Sequence, residues 1–516
     1  MYTRLCSASV LGVDGLMIEV EVDITSGLPQ VAIVGLPDPA VRESVERVRA
    51  AIKNCGCRFP LERITINLAP ADLRKMGTAY DLAIAIGILA ASGQLPTDRF
   101  ESLLIVGELS LSGQIRAVPG VLAIVEEARR RGIEQMLLPA GNAAEASLIS
   151  GLTLHPVSHL QELVQLAEGD ASLPTYDYDR ARTASAGELG LSSIDRRGDY
   201  SEVLGQQQAK RALMAAAAGR HNILLLGPPG TGKTMLIRRL PGILPPLNEQ
   251  EALEVTKIRS VTGQFDSAMG SLVRERPFRA PHHTISAGGL IGGGSIPKPG
   301  EVTMAHHGVL FLDELPEFSR SVLEVLRQPL EERSVTIART RAVLRFPAHL
   351  MLAASMNPCH CGYHGDLLHP ERCTCSPQKI AAYRTKISGP LLDRIDLQVE
   401  VPRTAETGGH QPGLSSAQMQ EHVLVARERQ NARRKQTGVN WNCELEGSAL
   451  RQATLLDHDA SALLSDAYQA LGLSMRSHDR ILKLARTIAD LQDTETIKVE
   501  HLAEAIQYRC LDREMG

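Results

Sequence analysis

The chain has 516 residues, enough for about two to four domains with substantial cores, and a formal net charge of −4 that excludes a generally basic, histone-like nucleic-acid binder. Aromatic residues make up 3% of it, too few for base stacking on aromatic platforms to dominate any recognition of single strands. No apolar run approaches a membrane span and the first residues lack a charged-then-apolar leader pattern, so the chain is read as cytoplasmic with no membrane partner; its nine cysteines then argue against disulfides.

In the N-terminal third, Leu16, Ile18, Val20 and Val22 alternate with Met17, Glu19, Glu21 and Asp23, the period of a half-buried strand. A second short strand covers Gln30 to Val34. Asp38-Pro39 then opens a helix as cap and first residue, with Val41, Val45, Val48 and Ile52 on one face. Ile64, Ile66 and Leu68 mark another strand, Tyr80 to Ala91 a long apolar helix, Leu103 to Val106 a strand and Val121 to Arg131 a helix. This mixture predicts a separate α+β or α/β domain. Gly107-Glu108-Leu109-Ser110-Leu111-Ser112-Gly113 and Met76-Gly77-Thr78-Ala79 resemble the strand-turn signature and the nucleophile turn of the Lon-protease-like domain. The resemblance places that family's serine at Ala79 and its lysine at Leu122, so it implies the fold without a Ser–Lys dyad, used for docking or assembly. From about Thr175 to Arg197 the chain turns polar and aperiodic and reads as a linker.

The centre of the chain is Gly227-Pro228-Pro229-Gly230-Thr231-Gly232-Lys233-Thr234. It follows the apolar run Asn222 to Leu226 and leads into Met235 to Leu240: strand, glycine-rich loop, helix, the context a P-loop requires. Backbone N–H groups of such a loop cradle the phosphates of ATP, Lys233 neutralises the β/γ-phosphates, and the Thr234 hydroxyl completes a Mg²⁺ shell. Gly308 to Leu312 is a hydrophobic strand ending in Asp313-Glu314. Asp313 is expected in the Mg²⁺ shell and Glu314 as the group that orients and deprotonates the attacking water.

Further motifs resemble AAA+ proteins, in particular their magnesium-chelatase and MCM branch. The strand His349 to Ser355 ends at Met356-Asn357-Pro358, where the resemblance makes Asn357 a γ-phosphate reader. Gly389-Pro390-Leu391-Leu392-Asp393-Arg394-Ile395-Asp396 resembles the arginine-finger phrase, so Arg394 would reach a neighbouring subunit's nucleotide. Ser474-Met475-Arg476-Ser477 opens a helix, and in this clade Arg476 is a nucleotide contact in its own or an adjacent subunit. The basic run Arg427 to Lys435 reads as a solvated helix face.

Two inserts stand where this branch carries pore elements: the glycine-rich stretch from Arg279 to Lys298, and a hairpin over Ser334 to Phe346 containing Arg339, Arg341 and Arg345. Lys298, Arg339 and Arg341 are the expected DNA contacts, gripping phosphates without reading bases. Cys359, Cys361, Cys373 and Cys375 form two C-x-C pairs in an irregular loop, the ligand count of a structural Zn²⁺ site, with His360, His364 and His369 in reserve.

Over essentially its whole length the chain resembles the bacterial ComM/YifB family. The implied fold class is multidomain α/β: a Lon-protease-like α+β domain (ribosomal S5 domain 2-like) over 1–174, a linker over 175–198, an AAA+ P-loop core over 199–403 with a zinc loop at 359–375, and a helical lid over 417–516. The implied function is that of a homo-hexameric, ATP-hydrolysing helicase, not a protease, that acts on single-stranded, forked or branched DNA, promotes branch migration in natural transformation and works beside recombination proteins. A chelatase-like motor and a protein-remodelling ATPase are the competing expectations.

Overall fold

The computed structural model describes residues 1–168, 172–178, 198–266, 271–294, 297–339, 342–366, 368–403, 413–470, 474–509 and 511. Arg341 and most of the expected linker, residues 179–197, lie outside the described residues. The chain divides into two compact units, residues 1–190 with 252–273, and residues 191–251 with 274–516.

The first unit is built on a seven-stranded mixed sheet with the order Gln30–Val34, Arg63–Ala69, Asp14–Thr25, Tyr2–Leu11, Leu104–Ile105, Gln135–Pro139, Thr153–Val157. Alternation in Asp14–Thr25 divides its side chains between two apolar clusters. Ile18, Val20 and Val22 pack with helices Pro39–Asn54 and Asp81–Ala91, and Met17 packs with Val121–Arg130. Helix Pro39–Asn54 starts where Asp38 accepts the Val41 N–H at 2.8 Å. Helix Asp81–Ala91 is apolar on nearly every side and every residue of it is buried. Ala79 and Leu122, the two dyad positions, fall in one apolar cluster.

Sequence patterning places residues 252–273 in the central module, but they pack in this first unit. Lys257 pairs with Glu126 at 2.6 Å, Ser260 donates its hydroxyl to the buried Glu145, and the Ser260 carbonyl accepts the Gly120 N–H at 3.1 Å. None of these long-range pairings leaves a local periodic signal.

The second unit holds a five-stranded sheet, all parallel, in the order Phe278–Arg279, Val309–Leu312, Met351–Met356, Ile223–Leu226, Leu397–Glu400. The three central strands are buried at every residue, which is why they read as continuous apolar runs rather than alternating ones. The alanine-rich helix Gln207–Gly219 packs under them. Its small side chains let the C-terminal helices Ser416–Thr437 and Met475–Leu491 join the same core through Met419, Val423, Ile481 and Ile488. Ser415 and Gln418 form a capping box at the start of Ser416–Thr437.

The basic run on that helix is not a solvated face throughout. Arg427 stacks 3.8 Å from the ring centroid of Trp441, and Arg433 pairs with the fully buried Asp490. The tryptophan lies just beyond the helix and the aspartate 57 residues from its arginine, so the run's own composition could not reveal them. Among the described residues, no helix is long and apolar enough to cross a membrane.

Candidate nucleotide site and basic pore elements

The P-loop leaves the carboxyl end of strand Ile223–Leu226 and enters helix Lys233–Arg238, the place where parallel α/β sheets bind ligands. Gly230 and Gly232 have φ of 81° and 86°, left-handed values that favour glycine. Gly227 is required by contact instead, since a Cβ there would stand 2.2 Å from the Val401 carbonyl oxygen. Thr231 closes the turn by donating to the Pro228 carbonyl at 3.0 Å.

Lys233 folds back onto this loop. Its Nζ donates to the carbonyls of Gly227 at 2.6 Å and Pro228 at 2.8 Å, and to Asn357 Oδ1 at 3.3 Å. Burial pushes the ammonium down to about 8, while Asp313 and Glu314 work in the opposite direction. A phosphate offers this lysine the full counter-charge that backbone carbonyls do not.

Thr234 Oγ1 donates to Asp313 Oδ2 at 3.0 Å, bringing a hydroxyl and a carboxylate from two motifs to one point. These are hard oxygen donors and fit Mg²⁺. Glu314 follows with an exposed side chain and left-handed backbone, φ 54° and ψ 53°, unusual for a residue with a Cβ. Ser355 secures the pair: its hydroxyl donates to Asp313 Oδ1 and accepts the Glu314 N–H at 3.3 Å. The sequence reading passes over Ser355. Its signal is a lone hydroxyl near the carboxyl end of the otherwise apolar strand Met351–Met356.

The remaining assigned residues lie apart from this cluster. Arg394 is 4% exposed, ion-paired to Glu331 and donating to the Pro390 carbonyl. Arg476 is exposed near the start of helix Met475–Leu491, with no ion-pair partner among the described residues.

The two inserts form ribbons. Gly292–Gly293 pairs antiparallel with Lys298–Pro299, and Ser334–Arg339 with Ala342–Pro347. In the second, Val335, Ile337, Leu344 and Phe346 are buried, and Val343 opposite Ala338 faces out. The ribbons touch. A Cβ on Gly292 would lie 2.8 Å from Ile337 Cδ1, and one on Gly293 would lie 3.8 Å from the Arg339 guanidinium. Lys298 and Arg339, distant in sequence, are thus exposed on neighbouring ribbons, whereas Arg345 donates to Ser334 at 2.9 Å.

The Sγ atoms of Cys359, Cys361, Cys373 and Cys375 all lie within 4.8 Å of one another, with three pairs at 3.3, 3.7 and 3.9 Å. Tetrahedral Zn²⁺ with bonds of about 2.3 Å separates its sulfurs by about 3.8 Å, so the four thiols could hold that ion. Burial acts to raise the Cys361 thiol, but the Tyr363 N–H and the neighbouring thiols bring it down to about 7, while those same thiol contacts raise Cys373 and Cys375, so one thiolate is shared by hydrogen bonds from its neighbours. The loop adjoins the P-loop, since a Cβ on Gly362 would lie 2.8 Å from Pro229 Cδ.

Comparison with known proteins agrees with this architecture. Residues 199–408 match the family model described as magnesium chelatase, subunit ChlI; residues 20–142 match that of subunit ChlI of Mg-chelatase, and 413–509 its C-terminal region. The chain is 44% identical over 510 residues to the uncharacterized protein YifB of Salmonella typhimurium, covering 98% of this chain and 96% of that one. It is also 44% identical over 513 residues to the competence protein ComM of Haemophilus influenzae, covering 98% and 97%. Lon protease 2 of Bacillus subtilis is 31% identical over 155 residues, 28% of this chain and 27% of that protein. With a P-loop and an acid pair on a five-stranded parallel sheet, the chain belongs to the ComM/YifB family of magnesium-chelatase-like AAA+ ATPases.

Proposed function

We propose that this chain is an ATP-driven DNA motor that works as a homo-hexameric ring, a helicase promoting branch migration during recombination in natural transformation. The observation that carries the proposal is the contact between the two insert ribbons, on which Lys298 and Arg339 are both exposed. Exposed cations on neighbouring ribbons suit a phosphate backbone and need no base readout. The relative named a competence protein supports the setting.

In this reading Lys233 leaves its carbonyl partners for the β/γ-phosphates, Glu314 orients and deprotonates the attacking water, and Asn357 reads the γ-phosphate. Mg²⁺, held through Thr234 and Asp313, would neutralise developing phosphate charge. Arg394 serves an adjacent subunit's nucleotide and Arg476 makes a further nucleotide contact. Zn²⁺ on the four cysteines stiffens the loop beside the P-loop. Family models named for a magnesium chelatase subunit favour a second reading, an ATPase that remodels a protein partner.

The test compares ATP turnover with forked DNA and with protein substrates, alongside DNA binding across salt concentrations. The Lys298→Ala, Arg339→Ala double variant is expected to bind DNA of any sequence more weakly, with a salt slope lower by about 2. ATP turnover without DNA should continue. Unchanged DNA binding, or stimulation by protein and not by DNA, would transfer support to the second reading.

A further inference from the structure

The seven-stranded sheet of the first unit has two edges, and the chain treats them differently. At Thr153–Val157 the following segment lies over the edge: the Tyr176 N–H donates to the Leu154 carbonyl at 2.9 Å, and His155 Nδ1 lies 2.9 Å from the Pro174 carbonyl oxygen. At the other edge, strand Gln30–Val34 pairs only with Arg63–Ala69 among the described residues, so its outer row of backbone groups faces no strand. Proteins usually blunt such an edge with charged side chains, lysine above all. Residues 26–37 carry no charge at all.

Large apolar side chains stand in solvent along this edge. Leu28 is 87% exposed, Val34 46% and Leu36 57%. The backbone itself turns Leu36 outward. A Cβ on Gly35 would collide with the Leu68 carbonyl oxygen, so glycine alone fits against the neighbouring strand, and Leu36 follows with a left-handed φ of 56°. A leucine held in solvent on an unfavourable backbone calls for a partner. On the opposite face of the strand from Ala32, Val31 and Ile33 pack half-buried against the cluster that includes helices Pro39–Asn54 and Asp81–Ala91, leaving that apolar layer unfinished at the edge.

The strand is complementary to itself. Antiparallel pairing about a two-fold axis at Ala32 sets Val31 against Ile33 and Gln30 against Val34, and it brings Leu28 toward Leu36. Moving the axis by one residue would set Leu36 against Gln30 or Ser26 instead, so this register alone matches the exposed leucines to each other. No facing pair carries like charges. We infer that this edge binds the same edge of a second copy of the chain, joining two seven-stranded sheets across a two-fold axis. Val31 and Ile33 then continue one apolar layer from copy to copy. Pro29 and Pro37, which have no N–H to donate, end the ladder on each side. The contact does not rest on the ring proposed above: a two-fold interface closes on itself and doubles whatever assembly the second unit forms.

The experiment measures the mass of the full-length chain by sedimentation velocity and light scattering over a concentration series, without nucleotide and with ATP. The parent should reach twice the mass of the Leu28→Lys or the Leu36→Glu variant at equal concentration. Each change should weaken the association about tenfold or more, because every dimer loses two apolar contacts. Both side chains are exposed, so neither change empties the core. An equimolar mixture of the two variants should regain the parent's mass, since the two-fold brings the ammonium at position 28 of one copy toward the carboxylate at position 36 of the other. That recovery also shows that both variants are folded. A parent no heavier than the variants leaves the edge to a foreign strand and overturns the self-pairing. A loss of mass that the mixture does not restore overturns it as well. DNA is absent throughout, so the outcome is independent of the DNA-binding tests.

Discussion

The hydroxyl of Ser355 donates to Asp313 Oδ1 while accepting the Glu314 N–H at 3.3 Å, so one side chain fixes both halves of the acid pair. Ser355→Ala is therefore expected to lower ATP turnover about 10–100-fold with nucleotide affinity little changed, the usual scale for removing a residue that orients a metal ligand. Glu314→Gln should go further, keeping ATP binding and losing about 10²–10⁴ in rate because the base itself is gone. Turnover within twofold of the parent for Ser355→Ala would show that Asp313 and Glu314 hold their geometry without it.

Arg394 is paired to Glu331 of its own chain, a contact a finger must release. If it acts on a neighbouring nucleotide, Arg394→Ala and Lys233→Ala should each be inactive alone and regain part of the activity when mixed. The mixture contains interfaces where an intact P-loop meets an intact arginine. A mixture as inactive as its parts argues that Arg394 works only within its own subunit, or not on nucleotide at all.

Protein purified without chelator should contain about one zinc per chain. Cys361→Ser should lose most of it and unfold at lower temperature, and because Gly362 packs against Pro229 it should also weaken ATP binding. Metal analysis that finds no zinc in the parent would remove the clip from the mechanism.

Stability should fall on mild acidification because of His349. Burial first, and then the nearby Arg220, push its imidazole from 6.5 down to about 3, so the folded chain keeps it neutral. The folded pKa lies below the unfolded one, so the contribution is complete above pH 6.5 and is lost as pH falls toward about 3. Between pH 7.5 and 5.5 this one group should cost about 1.4 kcal/mol. Urea unfolding of the parent and of His349→Gln at both pH values checks it. An equal acid-induced loss in the two proteins would mean that His349 is not the group responsible.

Much of the candidate nucleotide site was legible in the sequence, because its motifs are local. A P-loop needs glycines, lysine and threonine at fixed spacing, and an acid pair must follow an apolar strand. The order of apolar runs also predicted an α/β module, since strands buried on both faces cannot alternate. What the sequence could not supply is whatever depends on groups far apart in the chain. Ser355 becomes a partner of Asp313 and Glu314 only when strands Val309–Leu312 and Met351–Met356 pair. Arg427 is half-buried, stacked on Trp441 where the chain returns beyond the helix. Residues 252–273 join the first unit through pairings such as Lys257 with Glu126, which no periodicity encodes. Arg480 reaches the buried Asp396, 84 residues away in the chain, a pairing that its own helix does not announce. Composition and spacing determined which chemistry is present; long-range packing decided which charges are buried or paired, because burial and partnership are properties of the folded chain alone.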